Sequence, residues 1–198
     1  MSNFSFTPQN LREIESILSS DRLETYVSLA HGNHYKALEI YKSNILKSHR
    51  FYTILHILEI CLRNKIDERL RAKYGERWFC RSDLDLSLDQ IKSIPENKYH
   101  EKAGQLIASL SFGFWTAFFG KSFEQLWRQE LRFIFKTNNP LKRGYIAANL
   151  KNIRTLRNRI AHHECILKMD LENLEKSAYE LINWLSPTAL EWLVSYLI

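Results

Sequence analysis

The segment Leu156–Glu164 is the part of the chain richest in residues that can do chemistry. It holds two guanidiniums, one amide, two imidazoles and one carboxylate within nine residues. Imidazole titrates near neutrality and exchanges protons readily, whereas guanidinium stays charged and binds phosphate oxygens with a planar fork. This combination suits cleavage of a phosphodiester bond.

Metal-free RNA cleavage needs three groups: a base for the 2′-hydroxyl proton, a cation for the phosphorane oxygens and an acid for the leaving 5′-oxygen. Arg157 can supply the cation and His162 one proton transfer. Residues five apart lie about 140° apart around an ideal helix. The two side chains therefore meet only if the helix ends or distorts near Ala161, or if a second copy of the chain completes the site in a symmetric dimer. A purely structural alternative is that these residues complement the negative end of the helix dipole.

One helix, starting at Lys142, is predicted to carry this segment. Ile146, Leu150 and Ile153 recur on one face at the spacing of an amphipathic helix. Basic residues on the same helix could extend a phosphate-binding track toward the motif, or simply form a solvated face. These residues are Lys142, Arg143, Lys151, Arg154 and, within the motif, Arg159.

The rest of the sequence predicts an all-α protein. The chain has 198 residues, 45% of them hydrophobic, which suffices for a single domain with its own core, and its 6 Gly and 4 Pro are too few for a many-stranded β fold. Further helices are predicted over 9–20, 22–30, 35–74, 86–94, 100–110, 112–119, 123–136, 171–185 and 187–197. We expect N-terminal helices in 1–34 and a main bundle in 35–198.

Charge and cysteine usage narrow the class of protein. The net charge of +6 favours a polyanionic partner, and three widely spaced cysteines without a CxxC motif indicate a reduced, cytoplasmic protein with no leader peptide.

The uncharged stretch 103–120 contains several polar residues and glycines, so it predicts two buried helical pieces rather than a membrane span. No cofactor-binding motif is visible.

Other candidates have weaker chemical interpretations. Glu59 is the only formal charge between Arg50 and Arg63. A structural ion pair with Arg63, four residues later, is favoured over a supporting role beside the active site, and Asn64 shares this ambiguity. A zinc site at His162, His163 and Cys165 is not expected, because adjacent helical side chains diverge by about 100°. A cluster of aromatics suits core packing better than a base-stacking platform: Phe112, Phe114, Trp115, Phe118, Phe119, Phe123 and Trp127.

The pattern Arg157-Asn158-x-x-x-His162 resembles the signature of the HEPN superfamily, and its wider context is similar to the Abi-like (abortive infection) proteins of bacteria. Three further blocks carry the resemblance over most of the chain. They are Leu58-Glu59-x-x-Leu62-Arg63-Asn64-x-Ile66-Asp67, Tyr74-Gly75-x-x-Trp78, and Phe112-Gly113-Phe114-Trp115 with Leu126-Trp127.

The resemblance implies a HEPN-type helical bundle that cleaves RNA, without metal or cofactor, in a composite site at a homodimer interface. By position, Arg157 would stabilise the transition state and His162 would be the general acid or base. Asn158 would orient the substrate, and His163 would be a second proton-transfer group or a spacer. The implied setting is phage defence or toxin action, with an antitoxin or defence-system component as partner. An RNA-binding or partner-binding module that cuts nothing is the alternative.

Overall fold

The computed structural model describes residues 7–80 and 103–197, which contain nine α-helices, short 3₁₀ turns and no strand. The all-α prediction is confirmed for this part of the chain. The helices are α1 (Pro8–Leu18), α2 (Ser20–Leu29), α3 (His34–Tyr74), α4 (Ala103–Ser109), α5 (Phe112–Ala117), α6 (Glu124–Gln129), α7 (Arg143–Ala161), α8 (Leu171–Leu185) and α9 (Pro187–Leu197).

Local signals explain where several helices begin and end. Thr7 caps α1 by accepting a hydrogen bond from the Asn10 backbone, and Pro8 occupies the first turn, where its missing N–H costs nothing. Gly75 ends the long helix α3 with a positive φ of 85°, as its position in the sequence predicted. The predicted boundaries of α8 and α9 are also confirmed.

The described residues divide into two compact units. The first contains 7–52 and 156–171, and the second contains 53–80, 103–155 and 172–197. Helices α3 and α7 each contribute residues to both units, so the division does not follow the subdivision at residue 34 that the sequence suggested.

The first unit has a small apolar core between α1, α2 and the start of α3. Leu23, Tyr26, Ala30, Ala37 and Leu38 are buried there. Partly buried side chains from the segment after α7 also pack against this core, including Cys165 and Leu167.

The second unit is built around aromatic side chains. The cluster around Trp115 is buried, and the Trp115 and Phe118 rings stack with centroids 6.3 Å apart. The core-packing interpretation of these aromatics is therefore confirmed. Trp78 joins the same cluster, and its indole N–H donates to Asp67 at 2.8 Å. This bond links two of the sequence blocks that carry the family resemblance.

The predicted helix over 123–136 is wrong as a single element. The structure has a 3₁₀ turn at Lys121–Phe123, then α6, then a second 3₁₀ turn at Leu131–Ile134. The backbone leaves helical geometry at Glu130, which is buried and pairs with Arg69 at 2.8 Å and Lys73 at 3.4 Å. The pairing partners lie on α3, so sequence periodicity around Glu130 does not reveal the break.

The uncharged stretch from 103 to 120 forms two helical pieces, α4 and α5, as predicted. Burial is confirmed for most of α5, but among the described side chains of α4 only Leu106 and Ile107 are buried, and one face is exposed. Ser111 separates them and caps α5 by accepting from the Phe114 backbone N–H at 3.3 Å. Within the described residues, no helix is both long enough and apolar enough to cross a membrane. The helix predicted over 86–94 lies outside the described residues, as do the first residues of the one predicted over 100–110.

Candidate functional site

Helix α7 ends within the motif itself. The backbone N–H of His163 donates to the Ile160 carbonyl at 3.0 Å, and that of Glu164 donates to the Arg159 carbonyl at 2.8 Å. With His163 in the left-handed region at φ 56°, these two bonds form a Schellman cap. His162 is therefore the last residue to follow the helical path, and the chain turns away directly after it.

Helix α7 ends at Ala161, which is one of the two alternative ways in which Arg157 and His162 were expected to meet. However, the His162 backbone N–H still donates to the Asn158 carbonyl at 3.0 Å, as in a regular helix. The Cα of His162 therefore keeps the angular offset of about 140° from Arg157. The Arg157 side chain is half-buried, whereas His162 is exposed.

The loop after α7 is held in place by side chains from three elements. Three successive carbonyls each accept one hydrogen bond: His163 from Arg22 Nη1 at 2.7 Å, Glu164 from Asn44 Nδ2 at 3.3 Å and Cys165 from Arg159 Nη1 at 3.3 Å. The Ile166 N–H in turn donates to Asn44 Oδ1 at 2.8 Å. The amide nitrogen and the amide oxygen of Asn44 therefore both hydrogen-bond to the same loop, and the residue is only 4% exposed.

A cleft of about 500 Å³ opens beside this loop, within the first unit. We call it the His162 cleft. Its lining contains three permanent cations and two carboxylates, so the balance is positive even with both histidines neutral. The lining residues are Ser19, Asp21, Arg22, Thr25, Tyr26, Arg159, His162, His163, Glu164, Cys165 and Lys168. Among the residues that the structure describes, Arg157 does not line this cleft.

Tyr26 forms part of the wall of the cleft. The residue is 1% exposed, and its hydroxyl has no oxygen or nitrogen hydrogen-bond partner among the described residues. The Cys165 thiol lies beside it, but a thiol is only a weak donor and acceptor. Burial is the main reason that the pKa of the Tyr26 phenol is raised well above its usual range, and the neighbouring Cys165 thiol adds to the effect. The hydroxyl therefore keeps its proton and can donate a hydrogen bond.

The predicted RNA-contacting residues differ in their surroundings. Arg159 lines the His162 cleft, and its Nε lies 3.9 Å from Glu164. Lys151 is exposed, and half-buried Arg154 donates to Thr116 Oγ1 at 3.4 Å. The Arg143 guanidinium is engaged in contacts within the protein: it pairs with Glu124 at 2.5 Å and donates to the Phe119 carbonyl at 2.6 Å. Arg143 is therefore less suited to bind RNA than the sequence alone suggested.

The possible supporting residues lie near the middle of α3, in the second unit. Glu59 is half-buried rather than fully buried, so the cost of burying its charge is smaller than the sequence argument assumed. Arg63 Nε donates to the neighbouring Asn64 Oδ1 at 3.2 Å. The proposed ion pair between Glu59 and Arg63, and the alternative role beside the active site, both stay predictions.

The described residues contain no group of three or more His, Cys, Asp or Glu side chains arranged to hold a metal ion. Cys61 and Cys165 carry free thiols, and burial raises the pKa of Cys61.

No protein-family model, curated protein or solved structure matches this chain.

Four residues that shape the site are not among those predicted from the sequence: Arg22, Tyr26, Asn44 and Lys168. Arg22 and Asn44 lie more than a hundred positions away from the loop they bind, so no spacing rule connects them to it. Only Lys168 carried a local signal, as a basic residue shortly after the motif.

Proposed function

We propose that this protein is a HEPN-type, metal-independent endoribonuclease that acts as a homodimer in phage defence or toxin-antitoxin action. The observation that carries the proposal is the His162 cleft, where an exposed imidazole lies at a capped helix end among an excess of cations. A phosphodiester in this cleft would meet a proton-transfer group beside fixed positive charge, as its cleavage requires.

In this proposal His162 is the general acid or base, and Arg157 stabilises the charge on the phosphorane oxygens. The 2′-oxygen gives its proton to the base and attacks the phosphorus, and the bond to the 5′-oxygen breaks as that oxygen takes a proton from the acid; His162 performs one of these two transfers. The products are a 2′,3′-cyclic phosphate and a new 5′-hydroxyl end. Asn158, exposed at the end of α7, orients the substrate. His163 is a second proton-transfer group or a spacer.

The homodimer part of the proposal is supported by an apolar groove beside the motif. The groove has a volume of about 570 Å³ and is lined by residues of α3, the end of α7 and His163. Two of its side chains, Ile45 and Tyr52, are 40% and 64% exposed. Contiguous exposed apolar surface is typical of protein interfaces.

The test is cleavage of single-stranded RNA in the presence of EDTA by wild type, His162→Ala and Arg157→Ala. We expect each substitution to lower the cleavage rate by at least about a hundredfold, as loss of an acid–base or electrostatic group does. Thermal melting of His162→Ala should stay nearly unchanged, because an exposed side chain contributes little to stability.

Exposed residues outside the cleft provide matched controls, and His56→Ala and Arg77→Ala should cut at the wild-type rate. Cleavage that survives in both motif variants, or that EDTA stops in wild type, would contradict the proposal. RNA binding without new 5′-hydroxyl ends would instead favour a binding module that shares the fold and basic helix end.

A further inference from the structure

We propose that Tyr26, Arg22 and Lys168 form a second phosphate subsite in the His162 cleft, which holds a non-reacting phosphate of the bound RNA strand. The choice of RNA as the ligand of this subsite rests on the proposed function. None of the three residues belongs to the motif: Arg22 and Tyr26 lie on α2, and Lys168 lies in the segment after α7.

The Tyr26 hydroxyl is the observation that points to a ligand. The ring packs in the apolar core of the first unit, edge-on to Tyr41 at 4.9 Å, and phenylalanine would fill the same space. The hydroxyl costs folding free energy, because burial removes its water and no oxygen or nitrogen partner among the described residues replaces it, only the weakly bonding Cys165 thiol. A ligand oxygen that accepts a hydrogen bond from this hydroxyl would remove the cost.

The surrounding charge favours an anionic ligand. Arg22 uses one nitrogen for the His163 carbonyl, but a guanidinium carries five N–H donors and retains others. Lys168 is exposed at the edge of the cleft. A phosphate offers several acceptor oxygens in tetrahedral arrangement, so it can bind the hydroxyl, the guanidinium and the ammonium together.

A small side-chain movement has to accompany binding, because the Tyr26 hydroxyl is closed off from solvent in this structure. Arg22 lies near the phenol and is itself exposed, and exposed side chains change rotamer within nanoseconds. The cleft volume lies within the usual range for small-ligand sites, so a nucleotide unit fits its size.

The first test measures binding of a fluorescent single-stranded RNA whose 2′-hydroxyls are all methylated, so that it cannot be cut through a 2′-oxygen. Tyr26→Phe should bind it about tenfold to a hundredfold more weakly, as expected for one lost hydrogen bond to a charged group. Tyr35→Phe is the control, because it loses the same hydroxyl from a tyrosine of the first unit that lines neither the His162 cleft nor the apolar groove, and it should bind like wild type. The melting temperature of Tyr26→Phe should be equal to or above that of wild type.

The second test isolates the charge of the subsite. Lys168→Gln should lower the dependence of log affinity on log salt concentration by about 0.7, the slope that one phosphate contact contributes on a single strand. Lys176→Gln, an exposed lysine on α8, is the control and should keep the wild-type slope. If Lys168→Gln keeps the wild-type dependence of log affinity on log salt concentration, Lys168 does not contact a phosphate and is not part of the subsite.

The outcomes separate this proposal from the nuclease proposal. On cleavable RNA, Tyr26→Phe should raise KM with kcat unchanged, because a non-reacting phosphate is bound equally in the ground and transition states. Tyr26-dependent binding of methylated RNA by a wild-type protein that cuts nothing would support the subsite and overturn the nuclease. Equal affinity of wild type and Tyr26→Phe would overturn the subsite. Binding of inorganic phosphate or adenosine monophosphate, but not of RNA, would also overturn it as an RNA site.

Discussion

Asn44 shows how one buried side chain can determine the geometry of the candidate site. Its amide donates to the Glu164 carbonyl and accepts from the Ile166 N–H, so it fixes the loop that follows His162 and His163. An apolar side chain of similar size would leave both backbone groups without these bonds. Asn44 therefore acts as a positioning residue for the histidines, without lining the His162 cleft itself.

We expect Asn44→Ala to lower the free energy of unfolding by about 2–3 kcal/mol, because it leaves two backbone groups of the loop without their partner. Urea unfolding followed by circular dichroism measures the change. Asn33→Ala is the matched control: Asn33 also accepts a backbone N–H, from Lys36 at 3.0 Å, but at an exposed helix start, so its loss should cost only about 1 kcal/mol. Equal losses in the two variants would contradict the role assigned to Asn44.

Some side chains of the candidate site can be identified from the sequence, and others cannot. Arg157, Asn158, His162 and His163 stand out because they are concentrated at one predicted helix end. Asn44 does not, because it is a single polar residue within a helix of 41 residues and its partners are 120 and 122 positions away. Pairing over such distances depends on the tertiary fold.

The end of α7 determines the direction in which the histidines leave the helix. His163 adopts φ 56°, a left-handed conformation that costs a residue with a Cβ atom roughly 1–2 kcal/mol. Helix α2 ends in the same way, with His31 at φ 53° and hydrogen bonds from His31 to Ser28 and from Gly32 to Val27. The same cap thus occurs at a helix end inside the His162 cleft and at one outside it.

We expect His163→Gly to raise the free energy of unfolding by about 0.5–1 kcal/mol, because glycine adopts positive φ without the Cβ clash but loses more chain entropy on folding. His31→Gly is the matched control and should give a similar gain. Denaturant unfolding measures both variants.

The same pair of variants separates the two roles left open for His163. If it is only a spacer at the cap, His163→Gly keeps RNA cleavage at the wild-type rate while gaining stability. A loss of cleavage in His163→Gly but not in His31→Gly would instead assign proton transfer to His163.

For the molecule as a whole, the main question is whether one chain contains a complete site. The His162 cleft belongs entirely to the first unit, and its described lining includes His162 and Arg159 but not Arg157. The offset of about 140° along α7 separates the two motif residues within a chain. A second copy of the chain, as the proposed homodimer supplies, would bring another Arg157 to the cleft.

Subunit mixing tests this arrangement. Arg157→Ala and His162→Ala proteins, each inactive alone, are unfolded together at equal concentration and refolded. If each site takes Arg157 from one chain and His162 from the other, half of the dimers are mixed and each has one intact site, so about a quarter of the wild-type activity returns. Wild type taken through the same procedure controls for refolding. No recovery of activity would contradict this division of the site between two chains.

The sequence by itself determined the all-α class, most helix boundaries and the position of the motif at a helix end. These features depend on apolar spacing and on capping residues, which act within a few positions of one another. Only the tertiary structure decided that Arg22, Tyr26 and Lys168 join the histidines in one cleft, that Asn44 fixes the loop beside it, and that the chain breaks from helical geometry at Glu130. Each of these involves side chains far apart in the sequence, and their burial and pairing arise only when the packed helices bring them together.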